Sequence, residues 1–415
     1  MNATRTTTRR PYDVVLYGAT GFVGRQTVAY FAEHAGTLRW ALGGRSAPKL
    51  ERVRQACGPG AAQAGIVVAA SDDAPALEAL AAGTAVVLST AGPFALHGSA
   101  LVAACVKHGT HYVDITGETP WVRDLIDRHH REAAAKGTRI VPCCGFDSVP
   151  SDLGAWLVAR AVHERHGERC ASVKACHSMS GGLNGGTLAS ALNMLDSGQA
   201  KRIDDPFLLN PPGSVPARAG DHADPVAPSL DADFGAWVGP FVMGAINTRV
   251  VRRSAALLAA SGDPAYGADF RYQEYQLFGA GPLAAAAAGG VSLGMGVGRA
   301  AMQLALVRTL LKSVAPPPGS GPSQLTMDRG SFRCELVGRS ASGHLVRGRI
   351  AGQGDPGNRA TTRFVCEAAL ALATEANALP GGARGGGVLT PATAFGAVLA
   401  RRLAATGTTL EPMPS

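Results

Sequence analysis

Residues 12–24 read YDVVLYGATGFVG. Val14, Val15 and Leu16 make the short apolar run of a strand buried on both faces. Gly18, Gly21 and Gly24 follow at intervals of three, and residues 25–31 (RQTVAYF) read as the opening of a helix. A strand that passes through a glycine turn into a helix leaves free backbone N–H groups at the helix N-terminus, where a pyrophosphate sits. Gly18 permits the tight turn, Gly21 lets phosphate approach the backbone, and Gly24 lets the helix pack close. Thr20 and Phe22 belong to the same turn, so Gly18, Thr20, Gly21, Phe22 and Gly24 are the expected pyrophosphate contacts.

Working outward, residues 38–42 read as a second strand that ends in Gly43-Gly44-Arg45. An acidic residue here would bind the ribose 2′-hydroxyl of NAD; Arg45 beside Ser46 suits a 2′-phosphate instead, so NADP(H) is the expected cofactor. Residues 66–69 and 85–88 read as strands three and four, with a helix over 76–82 between them. Strand four runs into STAGPF, where Thr90, Ala91, Gly92 and Pro93 would line the cofactor's ribose and nicotinamide side. Helices over 98–107 and 120–136 alternate with strands over 111–114 and 139–142. This cadence predicts an α/β, Rossmann-type doubly wound parallel sheet. It stops near residue 150, where Ser151 would cap a helix over 152–165 and Asp147 lies in a loop facing the crevice. His97 and Asp147 are the candidate catalytic residues. His97 equally suits a helix cap, and Asp147 a tie to loop backbone.

The 415 residues are 46% hydrophobic and 17% charged, which fits a globular chain of two domains. The net charge of +8 is spread, with Arg9-Arg10, Arg252-Arg253 and Arg401-Arg402 as its arginine pairs. That argues against nucleic acid and reads as compositional bias, with a weak pull toward anionic lipid or an acidic carrier protein. Eight cysteines and a polar stretch over 1–10 predict free thiols in the cytoplasm. Cys143-Cys144 is too tight for a CxxC site, and no metal site is expected.

In the second half, strands are expected over 173–179, 270–275, 332–337 and 344–350, and helices over 250–258 and 359–374. SGGLNGG at 180–186 reads as a mobile turn, with Thr187 capping a helix to 195. Residues 204–233 read as a long loop or lid, and PPPGSGP at 316–322 as a linker. Thr390-Pro391 would open a last helix to 405, with a loose tail from 406. Residues 277–298 carry no charge, yet Ala and Gly are too weakly apolar to span a bilayer. The continuation to 312 brings leucines with Arg299, Arg308 and Lys312. It reads either as a helix that lies on a membrane or covers a greasy tunnel, or as a buried hairpin.

GATGFVG, LGGR, STAGPF with HG after it, GTHYVDITGE and GFDSVPSDLG occur in this order, followed by SGGLNGGTLAS, INTRVVRRS and VLTPATAFG. This series resembles the saccharopine dehydrogenase-like family, and within it a bacterial branch of trans-acting enoyl reductases of cell-envelope lipid synthesis. The resemblance implies an NADP-binding Rossmann domain, a second α+β domain and a C-terminal helical segment returning to the first; it carries over no catalytic residue. The expected organisation is a disordered tail over 1–11, the NADP-binding domain over 12–150, a substrate and dimerisation domain over 151–355, and the C-terminal segment over 356–415. The expected activity is NADPH-dependent reduction of the C=C bond of an apolar acyl or polyketide-type enoyl thioester, on a carrier protein. The expected setting is the cytoplasm, peripheral to the inner face of the plasma membrane, as a homodimer. Two alternatives stand beside it: a non-catalytic NADP-binding, lipid-associated scaffold or sensor, and a saccharopine-type amino-acid dehydrogenase. The latter would need an arginine-lined pocket for a dicarboxylate.

Overall fold

The computed structural model describes residues 10–182, 184–196, 198–215, 222–314, 317 and 319–413. Strand β1 (Tyr12–Tyr17) buries Val14, Val15 and Leu16 almost completely. It is followed by β2 (Trp40–Gly44), β3 (Gly65–Val68), β4 (Thr84–Ser89), β5 (His111–Asp114) and β6 (Arg139–Val141). Then come β7 (Cys170–Ser180), β8 (Ser229–Asp231), β9 (Ala236–Pro240), β10 (Tyr266–Gly279), β11 (Ser331–Ser340) and β12 (Leu345–Gln353). Two short strands, β13 (Gly387–Val388) and β14 (Thr409–Pro412), close the chain.

Seven strands form a parallel sheet in the order β13-β6-β5-β4-β1-β2-β3. Alternate β1 side chains feed two cores, which is why the strand reads as an unbroken apolar run. Val14 and Leu16 join Val28, Phe31 and Phe364 on one face; Val15 and Tyr17 join Leu77, Leu101 and Trp121 on the other. Helix Thr361–Thr374 from the far end of the chain packs against β4, β5 and helix Phe22–His34. There the Tyr30 hydroxyl donates to Glu367 at 2.6 Å. This is the expected Rossmann-type sheet, with the C-terminal segment returning to it and adding β13.

The second sheet runs β14-β12-β11-β7-β10-β9-β8. It is mixed: β7 and β10 are parallel and the other pairs antiparallel. Helix Val149–His166 passes from the first sheet to cover β7, β11 and β12.

Several local expectations are corrected. That helix starts at Val149 with Ser148, not Ser151, as N-cap; Ser151 is buried in the first turn beside Pro150, which has no N–H to leave unpaired there. Asn184, not Thr187, caps helix Gly185–Asp196, accepting from the Thr187 amide at 3.0 Å. The helix expected over 250–258 runs Gly244–Ala260. The helix from Thr390 stops at Phe395, where Gly396 has φ +50°, and resumes as Ala397–Ala405. The described part of the tail is not loose, because β14 pairs with β12; residues 414–415 lie outside the described residues. The apolar stretch splits between the end of β10, helix Pro282–Ala301 and helix Ala305–Val314. Of the amino-terminal tail, residues 1–9 lie outside the described residues, and Arg10 donates to Thr110 and to the His108 carbonyl, both at 2.7 Å.

Candidate cofactor and substrate site

The carboxyl ends of β1, β2, β4, β5 and β6 lie along one edge of the parallel sheet, the edge at which such sheets form their ligand crevice. At its centre Gly18 has φ +86°, and a Cβ there would stand 2.8 Å from the Ala91 amide nitrogen. Both conditions require glycine. A Cβ on Gly24 would stand 2.1 Å from the Gly18 carbonyl oxygen, so the first helical turn is pressed directly onto the glycine turn. Gly21 is the N-cap of helix Phe22–His34 and supplies no side-chain cap. The first-turn amides are therefore left for an anion. Thr20 turns its carbonyl to Arg25 at 3.0 Å. Phe22 lies under Gly321, and Arg25 donates to the Gly319 carbonyl at 3.0 Å. Thus the described part of the expected linker lies over the turn; residues 316 and 318 are outside the described residues.

Arg45 is exposed at the end of β2. Ser46 is the N-cap of helix Ala47–Ala56, and its side chain makes no capping bond. A cation beside an uncapped helix N-terminus fits a phosphate. Arg45 also faces the Tyr17 hydroxyl, which burial and the negative Asp72 push up to about 12 while Arg45 opposes them.

The loop after β4 is tied to β1: the Thr90 amide donates to the Tyr17 carbonyl at 2.9 Å, and its hydroxyl reaches the Gly18 carbonyl at 3.3 Å. Ala91 donates to the Ser89 hydroxyl at 3.4 Å and Gly92 to the Thr90 carbonyl at 3.2 Å. Pro93 precedes helix Phe94–His97, whose amides at Phe94 and Ala95 are capped from outside by the Glu118 carboxylate at 2.7 and 3.0 Å. Ser190 of helix Gly185–Asp196 faces Gly92 across the crevice. The glycine-rich turn before that helix is anchored: Asn184 donates to Asn358 at 3.0 Å, and Asn358 to the Gly182 carbonyl at 3.2 Å. Leu183 of that turn is outside the described residues.

The two catalytic candidates part company. His97 turns to the loop after β3, its Nδ1 3.2 Å from the Ser71 hydroxyl, and so lies toward the adenosine half. Asp147 sits in the loop after β6, half-buried, and burial pushes its carboxyl up to about 6. Its neighbours are both fastened: the Phe146 amide to Thr361 at 3.0 Å, and the Ser148 hydroxyl to Asn247 at 3.3 Å.

Other residues of the site escaped sequence reasoning. Asp114 ends β5 fully buried, and its Oδ1 accepts from the amides of Thr116 at 3.0 Å and Cys143 at 3.1 Å. Cys143 has φ +63°, a strained conformation at the crevice floor that this carboxylate helps hold. Burial pushes Asp114 up to about 7. Behind Ser148, Asn247 donates to Glu274 at 3.0 Å, and Tyr272 donates to the same carboxylate at 2.7 Å. His177 lies 3.8 Å from it, stacked on Phe241. The alternation of FRYQEY was the available signal: Phe270, Tyr272 and Glu274 share one buried face.

Residues 216–221 lie outside the described residues, and the described part of the long segment 204–233 is not hinged freely. Three buried arginines of helix Gly244–Ala260 grip its carbonyls. Arg249 binds Ile203 and Asp205 oxygens and pairs with Asp224; Arg252 binds Pro206, His222 and Tyr272 oxygens; Arg253 binds Leu209 and Val388 oxygens. Burial pushes Arg252 down to about 10 and Arg253 to about 9. A cavity of about 640 Å³ lies between this segment and the first turns after helix Pro282–Ala301, lined by Leu195, Ile203, Pro206, Val226 and Met302 among others.

Residues 14–141 match the saccharopine dehydrogenase NADP binding domain. The chain is 41% identical over 425 residues to the Mycobacterium tuberculosis H37Rv protein Rv2449c, covering 98% of each. It is 39% identical over 416 residues to the trans-acting enoyl reductase of Mycobacterium bovis BCG, covering 96% of this chain and 97% of that one. The chain belongs to the trans-acting enoyl reductase family. Its fold is also that of a saccharopine dehydrogenase (L-Glu forming) from Saccharomyces cerevisiae, at TM-score 0.54 and 12% identity, covering 97% of this chain and all of that one. With its NADP-binding domain, this member of the family is an NADP(H)-dependent oxidoreductase.

Proposed function

We propose that the protein reduces the C=C bond of a long-chain 2-enoyl thioester presented on a carrier protein. The observation that carries this over amino-acid dehydrogenation is the engagement of Arg249, Arg252 and Arg253. Each is buried and bound to loop carbonyls, so this helix offers no cation to a dicarboxylate. Over a non-catalytic scaffold, the reading is supported by Asp147, a carboxyl poised near about 6 between two fastened neighbours in the crevice.

In this reading residues 18–24 hold the pyrophosphate on the first-turn amides, and Arg45 with Ser46 holds the 2′-phosphate. Thr90, Ala91, Gly92 and Pro93 line the ribose and nicotinamide side. When bound, the reduced nicotinamide supplies a hydride to the β-carbon. The Gly92 amide is already engaged with Thr90, which leaves Gly145 as the donor to the thioester oxygen as negative charge develops there. Asp147, protonated, delivers the proton to the α-carbon. Phe146 and Ser148, held by Thr361 and Asn247, fix that carboxyl in place.

The test is oxidation of NADPH by a carrier-bound long-chain 2-enoyl thioester, with mass analysis of the product for the two added hydrogens. Gly21→Val, which fills the pyrophosphate turn, is the control. NADPH binding without turnover above that control would overturn the enzyme reading and favour the scaffold.

A further inference from the structure

We infer that helices Pro282–Ala301 and Ala305–Val314 form a lipid-inserting hairpin that docks the protein on an anionic phospholipid bilayer. The two helices are bent by 107° about residues 302–304. The hairpin is rooted in the second sheet: Ala284, Ala288 and Ser292 are buried, and helix Pro282–Ala301 packs on β9 and β10. Beyond Ser292 the helix leaves the body. Over 293–300 every residue except half-buried Met295 is exposed.

The exposed side chains are of the wrong kind for water. Leu293 is 69% exposed, Leu306 81% and Leu310 63%. Arg308, by contrast, is turned inward, donating to Asp196 at 2.8 Å and to the carbonyls of Met302 and Gln303. A helix on the surface of a soluble protein shows its charge and buries its leucines; here Leu306 and Leu310 face outward while Arg308 is turned in.

Two observations choose a bilayer as the occupant. The end of helix Pro282–Ala301 is exposed over 293–300 apart from half-buried Met295, touching the body through the Arg299–Asp204 ion pair, and a protein partner meeting it on one flat face would leave the rest wet. Lipid surrounds an inserted helix. Second, residues 277–313 contain no Asp or Glu, on a chain of net charge +8; of their three cations Arg299 pairs with Asp204 and Arg308 with Asp196, both at the surface rather than in the core. A segment without acids suits an anionic headgroup layer. Among the described residues no single helix is long and apolar enough to cross a membrane; these two meet that condition only as a pair bent by 107°, and the insertion proposed is at the interface.

The test is flotation of the full chain with vesicles of phosphatidylglycerol and phosphatidylcholine, against phosphatidylcholine alone. The wild type should float with the anionic vesicles, less with the neutral ones, and less in high salt. Leu306→Glu with Leu310→Glu should reduce flotation by about tenfold or more, while Leu306→Phe with Leu310→Phe keeps it. NADPH binding, read by fluorescence, should be unchanged in both, which separates lost docking from lost folding. Flotation of the glutamate variant equal to wild type would overturn the proposal. So would failure of the wild type to float with either vesicle, including the case where it sediments as a dimer with these leucines covered.

Discussion

Replacing Asp147 by Asn tests the assigned proton donor through its pH dependence. Burial raises this carboxyl from an ordinary 3.8 to about 6. At pH 7 an unperturbed aspartate is protonated in on the order of one molecule in a thousand, whereas a group near 6 is protonated in roughly one in ten. The protonated form is the active one, so kcat/KM, which reports the free enzyme, should be level below the folded value and fall about tenfold per pH unit above it. Asn keeps the volume and removes the proton. Its kcat/KM should drop by about a hundredfold or more near pH 6, and the alkaline limb should flatten.

The assay is the initial rate of NADPH oxidation from about pH 5.5 to 9 with a carrier-bound enoyl thioester, run beside NADPH affinity. Affinity should not change, because Asp147 is not part of the glycine turn. In D₂O the wild type should place deuterium on one face of the α-carbon. The Asn variant, protonated by solvent, should lose that preference. A variant profile that superposes on the wild-type limb would refute the assignment, and so would unchanged facial selectivity.

Arg45→Ala should weaken NADPH binding about tenfold or more and leave NADH unaltered, since a charge-assisted phosphate contact is worth roughly 1.5–3 kcal/mol; equal loss for both cofactors would reject Arg45. Gly24→Ala puts a Cβ 2.1 Å from the Gly18 carbonyl oxygen, so titration should show NADPH affinity reduced by about tenfold or more; wild-type affinity would refute the close packing. Asp152 accepts from Ser254 and from the Ala392 amide at 2.8 Å, so Asp152→Ala should cost about 2–4 kcal/mol in denaturant unfolding, with Asn recovering much of it. Asp152 is raised by burial to about 7, so the native state keeps its proton where the unfolded chain has lost it. That contribution to stability is complete below about pH 4 and gone above about 7, and Asp152→Asn should flatten this part of the stability curve.

The first sheet was legible because its signals are local. An apolar run, a glycine turn and a helix pattern follow one another over 12–31, and strand and helix go on alternating through β6. The helix start differs by three residues for an equally local reason: Ser148 and Ser151 are both good caps, and Pro150 between them suits a first turn. The second domain was less legible because its order is set by distant partners. Asn184 caps a helix while tied to Asn358, and β14 is a strand only because β12 offers an edge. Nothing near Asp114 in sequence announces that it holds the Cys143 amide of the next loop. Asp147 could be placed in a loop from sequence, but its separation from His97 could not; that required the Ser71 contact.

The arginine excess also changes meaning once folded. Read as composition it has no address, and the pair Arg252-Arg253 looks like surface charge. Folded, both side chains are buried with Arg249, and together they satisfy carbonyls of the proline-rich segment that has little ladder of its own. Arg139 does the same for Pro380 and Gly382 at 2.8 and 2.7 Å, and Arg10 for His108. A guanidinium suits this work because its planar fork reaches several oxygens at once and is more weakly hydrated than an ammonium. The consequence reaches function. Cations committed to backbone are withdrawn from other work. Arg45 stays exposed at the end of β2, where the cofactor phosphate is proposed to sit, while helix Gly244–Ala260 is left without a free cation for an acidic substrate. An apolar acyl chain makes no demand for one.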